Sequence, residues 1–404
     1  MAVRVEPFTP ERSAAVSAFN RRLASGGAGW KFPEDPVPDW LPPEPGSRVY
    51  QEYFLLLEGD DVRGAYILKH RDVSLRGDIR SLATIELPVS EGTINGAYAM
   101  VGYQLVSDAL RRQPFMLGVG LGGEDVRIAR VMRALGWQIR PVPFYFKPLH
   151  GARFFRQLRY ARTTRLRALG MDAAAFSGLA ALGVKAVGVR GRRPPLPARA
   201  SVEVVPEFGS WADELWQLCS PRSSFVGVRD SDSLNRIYLP SNPYVVRLKV
   251  SVPGQVLGFA VIEDRQLSDS DYFGDLRVGT IMDGLALPEH VASVTWHATR
   301  ALQDRGVDVI VSNQSHPVWC AGLRRAGFLA GPTNFYFASA PQLTRLLADI
   351  DADFREIHFN RGDGPGPWGV TWRLPGENEA APGRRKTATG SYESRNGLLR
   401  TSSR

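Results

Sequence analysis

The stretch Val307 to Phe337, VDVIVSNQSHPVWCAGLRRAGFLAGPTNFYF, has a weaker copy about 190 residues earlier. A chain that repeats itself at that distance is constrained to use one fold twice. In the later copy an apolar strand (Val307 to Val311) leads through a polar turn (Ser312 to His316) into a short helix ending Arg324-Arg325-Ala326-Gly327-Phe328. An aromatic strand, Asn334 to Phe337, follows. The earlier copy runs Phe115 to Val119, Gly120 to Asp125, then Val126 to Leu135 ending Gly136-Trp137, then the strand Val142 to Lys147. Both helices are predicted to stop at a glycine followed by an aromatic, because glycine enters the left-handed conformation that closes a helix without a Cβ penalty.

Other elements keep the same spacing. Val62-Arg63-Gly64-Ala65-Tyr66-Ile67 matches Val256-Leu257-Gly258-Phe259-Ala260-Val261 at an offset of 194, and Ala109-Leu110 matches Ala301-Leu302 at 192. Each half reads as strand, helix, β-hairpin, central strand, helix, strand, helix, strand. In the first half these are Val3 to Val5, a helix opened by Thr9-Pro10-Glu11, the hairpin Tyr53 to Leu57 with Val62 to Lys69, the strand Ser81 to Val89 and a helix from about Thr93 to Arg112. In the second they are Val202 to Val205, Trp211 to Leu218, Tyr244 to Val250 with Val256 to Ile262, Thr280 to Leu287, and His290 to Arg305. The expected class is therefore mixed α/β in two tandem lobes, 1–149 and 201–350. A basic connector, 150–200, joins them, and an extension, 351–404, is predicted to lose order from about residue 376. A Gly-, Pro- and Trp-rich loop, Ala24 to Gly46, is long for a connector and reads either as a surface meander or as a substrate lid.

With 404 residues, 44% hydrophobic and 23% charged, the chain is long enough for two cores. No apolar run approaches the ~20 residues that cross a bilayer. The charged N-terminus and two distant cysteines, Cys219 and Cys320, predict a cytoplasmic protein with reduced thiols. The net charge of +9 is concentrated: Lys147 to Arg199 holds twelve Lys or Arg and one acid, Asp172. That segment reads as a basic amphipathic helix, either a solvated face or a contact for an acidic carrier protein or an anionic membrane surface at the inner face. No zinc-ligand spacing or nucleophile elbow is present. Gly118-Val119-Gly120-Leu121-Gly122-Gly123 has dinucleotide-loop spacing but lacks the acid expected about 20 residues on.

The element order and the helix endings resemble the GNAT acyltransferase superfamily, present twice. Its closing pattern, Leu-Tyr-x-x-x-Gly-Phe, is matched by Gly322 to Phe328 and by Val131 to Trp137. The resemblance implies a sheet whose central strand parts from its neighbour to admit acyl-CoA, and a helix N-terminus that holds the pyrophosphate. It implies an acyl-CoA-dependent N-acyltransferase acting on an amine, such as an amino sugar or surface-polysaccharide precursor. Two other readings stay open: a Fem-like aminoacyl-tRNA-dependent transferase, which would make the basic segment a nucleic-acid contact, and a non-catalytic GNAT-fold binding protein. The family's frequent tyrosine acid is replaced by Leu323 in one lobe and Met132 in the other.

Transfer to an amine needs a base and donors for the oxyanion. Glu86, alone among apolar residues on the first central strand, is the candidate base, against the reading of a solvent-facing or arginine-paired strand acid. Asp283 and His316 are the candidates of the second lobe, with helix capping the competing role for His316. Val89, Gly92, Gly96, Ala97 and Gly102 are the expected cofactor loop, because small residues let backbone amides wrap a phosphate, although Glu91 beside them would repel one. Arg229, Asn235 and Arg236 are candidate acceptor contacts, or else part of an Asp-capped surface helix.

Overall fold

The two halves share one succession of elements, into which the second inserts a short strand and a helix, Phe225–Gly227 and Ser231–Ile237, ahead of its hairpin. A computed structural model describes residues 3–34, 41–123, 126–157, 197, 199–268, 270, 272–348 and 356–364. The first half contains β1 (Val3–Pro7), α1 (Ser13–Ser25), the hairpin β2 (Tyr50–Glu58) and β3 (Asp61–Leu75), β4 (Asp78–Ser90), α2 (Val101–Arg112), β5 (Met116–Val119), α3 (Arg127–Ala134), β6 (Gln138–Pro141) and β7 (Phe144–Pro148). After α4 (Gly151–Gln157) come β8 (Ser201–Val205), α5 (Ser210–Cys219), β9 (Phe225–Gly227), α6 (Ser231–Ile237), β10 (Val245–Val252) and β11 (Gln255–Gln266). The chain continues through β12 (Arg277–Ala286), α7 (Val291–Asp304), β13 (Val309–Asn313), α8 (Pro317–Arg325), β14 (Leu329–Gly331), β15 (Tyr336–Ser339), α9 (Pro341–Leu347) and β16 (Ile357–His358). Most of the basic connector, Trp40, and the extension beyond 364 lie outside the described residues.

The repeat is visible in detail. Gly64 and Gly258, 194 residues apart, each sit where the following helix lies on the sheet. A Cβ at Gly64 would stand 2.6 Å from Val101 of α2, and one at Gly258 would stand 2.8 Å from Val294 of α7. Gly136 and Gly327 close α3 and α8 with φ of 80° and 87°, as their sequence context predicts.

One expectation is overturned. The repeat predicts that the strand 142–147 completes the first lobe and 334–337 the second, yet each joins the other's sheet. Strand β7 lies antiparallel between β13 and β14, pairing Tyr145 with Ser312 and with Ala330. Reciprocally, β15 lies between β5 and β6, pairing Phe337 with Val119 and with Arg140. The cause is local. Only Val142 and Pro143 separate β6 from β7, whereas a two-residue hairpin needs residues at positive φ. Valine before proline is held extended and proline is fixed near −65°, so the chain runs on into the neighbouring sheet instead of turning back.

The exchange fuses the halves. One core cluster combines Val73, Leu82 and Leu117 of the first half with Phe225, Phe335, Phe337, Leu343, Ile357 and Phe359 of the second. Because each sheet is finished by the other half's strand, the protein is expected to unfold in one calorimetric transition. Two resolved transitions, one per lobe, would contradict that coupling.

Candidate active site

In both lobes the central strand carries a bulge where it parts from its parallel neighbour. The β3/β4 ladder pairs Ile67 with Glu86 and Ala65 with Val89, which leaves Leu87 and Pro88 out of register, and Leu87 has φ of 45°. The parallel pairing of β4 with β5 ends at Ile85 and Gly118. Glu86 is thus the first residue past the point where the strands separate. In the second lobe Val261 pairs with Asp283 and Ile262 with Ile281, and the β12/β13 pairing ends at Ile281 and Ser312. Since Ile67 and Val261 are equivalent under the 194-residue offset, the repeat places one carboxylate at each opening.

Their surroundings differ. The Glu86 Oε2 accepts from Gln51 Nε2 at 3.3 Å, and Tyr53 Oη donates to Gln51 Oε1 at 2.7 Å. The buried Oε1 of Glu86 has no hydrogen-bond partner among the described residues. Burial raises the Glu86 pKa, and the Lys69 ammonium works against that rise. Lys69, fully buried on β3, donates to the Gly364 carbonyl at 2.9 Å. Its own pKa is lowered by burial, opposed chiefly by Glu86. Desolvation favours the protonated form of such a carboxylate and the ammonium favours the ionised one, and a carboxylate with an open lone pair can accept a proton from a bound acceptor.

Asp283 is saturated instead. Its Oδ1 accepts from Arg229 Nε at 2.8 Å, Asn360 Nδ2 at 2.8 Å and the Gly284 amide at 2.7 Å, and its Oδ2 accepts from Tyr238 Oη at 2.9 Å. Burial alone would raise its pKa, but the charge and hydrogen bonds of Arg229, with Asn360, outweigh it and hold the group well below the usual carboxylate range. Arg229 also donates to Asp363 Oδ2 at 2.8 Å, whose Oδ1 accepts from Arg71 Nη1 at 2.7 Å. The opening around Asp283 is occupied by the chain itself. Gly362 lies so close that a Cβ there would stand 2.9 Å from the Asp283 Cβ.

The remaining candidates fall as follows. His316 caps α8, its Nδ1 accepting from the Val318 amide at 3.4 Å, and burial lowers its pKa. It does not appear among the hydrogen-bond partners of Asp283. Arg229 is fully buried in the ion pairs above. Asn235 clasps the backbone of Phe208 through two bonds of 2.9 Å, and Arg236 reaches Glu44 at 2.9 Å. Asp230 caps α6 by accepting from the Ser233 amide at 2.8 Å, so this segment has the form of the Asp-capped helix.

The expected cofactor loop is two 3-10 turns ahead of α2. Val89 is buried opposite Ala65, Ser90 Oγ accepts from the Gly92 amide, and Asn95 Oδ1 accepts from the Ala97 amide. Gly92 is the constrained glycine: a Cβ there would overlap the Tyr98 carbonyl oxygen. Gly96 and Ala97 are exposed, Gly102 has open space in the first turn of α2, and that helix starts without a side-chain cap. Glu91, which would repel a phosphate, is buried and neutralised by Arg22 at 3.2 Å and Arg63 at 3.1 Å.

Sequence reasoning missed Lys69, Arg71, Gln51, Asn360 and Asp363. Lys69 had a signal, since it follows the apolar run Ala65 to Leu68 directly, whereas Arg71 sits in the polar stretch His70 to Asp72 and had none. The short polar turn Asn360 to Gly364 had a weaker one, its spacing of Asn and Asp three apart, which forms a capping box.

Comparison with known proteins assigns no chemistry to the chain. No family model matches the sequence, and no curated protein does. Among solved structures the chain is similar to an Enterococcus faecalis protein described as a probable N-acyltransferase, at 8% identity and a TM-score of 0.45, over 84% of this chain and 72% of that one. It is similar to Saccharomyces cerevisiae N-myristoyltransferase with bound myristoyl-CoA, at 10% identity and a TM-score of 0.47, over 84% and 78%. A GCN5-related N-acetyltransferase from Anabaena variabilis shows 11% identity and a TM-score of 0.47, over 84% and 73%. At such values the chemistry has to rest on this chain's own geometry. Among the described residues no helix is long and apolar enough to cross a membrane, and no group of His, Cys, Asp and Glu could hold a metal ion.

Proposed function

We propose that the first lobe transfers an acyl group from acyl-CoA to an amine, with Glu86 as the base. The observation that carries this reading is the carboxylate oxygen of Glu86 left without a partner among the described residues, at the point where β4 and β5 separate. In the reaction the acceptor's ammonium gives one proton to Glu86, the resulting amine attacks the thioester carbonyl, and the second nitrogen proton passes to solvent as the amide forms. The resulting oxyanion is met by a backbone amide of the bulge, and its collapse breaks the carbon–sulfur bond. Met132, buried at the position of the family's tyrosine, cannot protonate the sulfur. The leaving group therefore departs as thiolate, which a thiol with a pKa of about 8.5 tolerates. The uncapped start of α2 and the open positions at Gly96, Ala97 and Gly102 suit the pyrophosphate, because helix N-termini offer unpaired amides to anions.

A carboxylate base can take the proton that an amine acceptor has to lose. An amino sugar or glycan precursor as that acceptor rests on the family resemblance alone, as do an acidic carrier or membrane surface for the connector. The non-catalytic reading fits the second lobe, whose acid is saturated and whose opening is filled. Calorimetric titration with acetyl-CoA and longer acyl-CoAs is expected to show one site per chain. Absence of binding up to about 1 mM, a binding free energy weaker than about 4 kcal/mol, would sink the proposal.

A further inference from the structure

Residues 356–364 form a strap that leaves the body of the second half and crosses between the two openings. Ile357 and His358 pair in parallel with Phe225 and Val226 of β9, which itself pairs with β3 of the first half. The Ser315 amide donates to the Phe359 carbonyl at 2.9 Å, and the Phe359 amide donates to Ser315 Oγ at 2.8 Å. Asn360 then bonds Asp283, its own backbone amide donates to Asp363 Oδ2 at 2.9 Å, and its Oδ1 accepts from the Gly362 amide at 3.0 Å. Asn360 and Gly362 therefore stand against Asp283, in the place that corresponds in the first lobe to the space around Glu86. Two residues further on, the Gly364 carbonyl holds the Lys69 ammonium, and a Cβ on Gly364 would stand 3.2 Å from Val119, at the end of β5.

We propose that this strap is a resident occupant of the second lobe's opening and a positioning element for the first, with the Gly364 carbonyl and the Asp363 carboxylate holding the Lys69 ammonium that acts on Glu86. The inference rests on the acyl-transfer reading for its second half only. The charged groups that act on Lys69 are Glu86, Arg71, Asp363 and Asp283. Asp363 and the Gly364 carbonyl belong to the strap, so displacing it takes away one carboxylate and the hydrogen-bond acceptor that favour the ammonium, while the like charge of Arg71 stays. One opening is then left for a thioester, and the chain binds a single acyl-CoA.

The test uses Gly362→Ala, whose added methyl would overlap Tyr238 Oη and lie 2.9 Å from the Asp283 Cβ, and so pries the strap from the second lobe without altering Glu86 or Lys69. Hydrogen exchange on the wild type is expected to find the amides of Ser315, Phe359, Asn360 and Gly362 protected, and at least about tenfold faster in the variant. In acyl transfer the variant is expected to lose about 10- to 100-fold in kcat with little change in KM for acyl-CoA. The acid limb of its pH profile is expected to move to higher pH, because Lys69, no longer held by the Gly364 carbonyl, opposes the rise of the Glu86 pKa less. Faster exchange with kcat and the acid limb unmoved would overturn the positioning role. Unprotected strap amides in the wild type, or two acyl-CoA molecules bound per chain, would overturn the occupancy. If Gly362→Ala does not fold, those two wild-type measurements still decide. A wild type that binds no acyl-CoA while its strap amides are protected refutes the acyl-transfer reading and leaves the occupancy standing.

Discussion

Replacing Glu86 with glutamine is expected to lower kcat for acyl transfer by about 10²- to 10⁴-fold, the usual contribution of a positioned general base. Acyl-CoA affinity should stay unchanged, because the expected cofactor loop lies beyond the bulge that follows Glu86. Glutamine keeps the volume and can still bond Gln51, so the fold should tolerate it. The wild-type pH profile should lose rate as pH falls through a Glu86 pKa that burial has raised above the ordinary carboxylate value. In Glu86→Gln that limb should vanish. Lys69→Met should instead keep the limb and move it to higher pH, since the ammonium opposes the rise. A Glu86→Gln enzyme with full kcat and an intact acid limb would dismiss Glu86 as the base.

The second large effect concerns stability. Arg229→Met removes the cation shared by two buried carboxylates, Asp283 and Asp363, and breaking a buried pair by deleting one partner costs about 3–5 kcal/mol because the remaining charge stays uncompensated. Arg71 continues to hold Asp363 at 2.7 Å, so most of the loss falls on Asp283. Denaturant unfolding should report it as a lower midpoint at unchanged slope. The pH dependence has a definite sign. Asp283 has a folded pKa depressed below its unfolded value, so its contribution is fully present above about pH 4 and is lost as pH falls through the folded pKa. In Arg229→Met this part of the acid destabilisation should shrink, because Asp283 is no longer held ionised. A variant within about 1 kcal/mol of the wild type would show that the network carries little stability.

The candidate site was legible to different depths at different residues. Glu86 stood out because an acid inside an apolar strand needs a reason, and the structure places it at the bulge with one oxygen unpartnered. Asp283 stood out by the same signal and has the opposite chemistry. What separates them is whether Arg229, Asn360 and Tyr238 are present, and those partners lie 54, 77 and 45 residues away in sequence. Arg229 looked like a surface contact because its neighbours Asp230, Ser231 and Asp232 are polar, but its side chain turns inward to the two carboxylates.

By itself the sequence determined most of the elements, their order and their duplication, but not the short strands β9 and β16. Hydrophobic period, hairpin turns and the glycines that end α3 and α8 are settled by residues within a few positions of one another, and such interactions survive any change of partner. Tertiary structure alone decided which sheet receives β7 and β15, and what fills each opening. Because the halves are copies, both sheets offer nearly the same slot, so the alternation of a strand such as Phe144 to Pro148 suits either one. The choice falls to the stiff Val142-Pro143 link and to contacts across the whole chain, such as Lys69 with Gly364 and Arg71 with Asp363, 295 and 292 residues apart. No local pattern encodes contacts of that range, since they depend on where the folded halves bring the chain together.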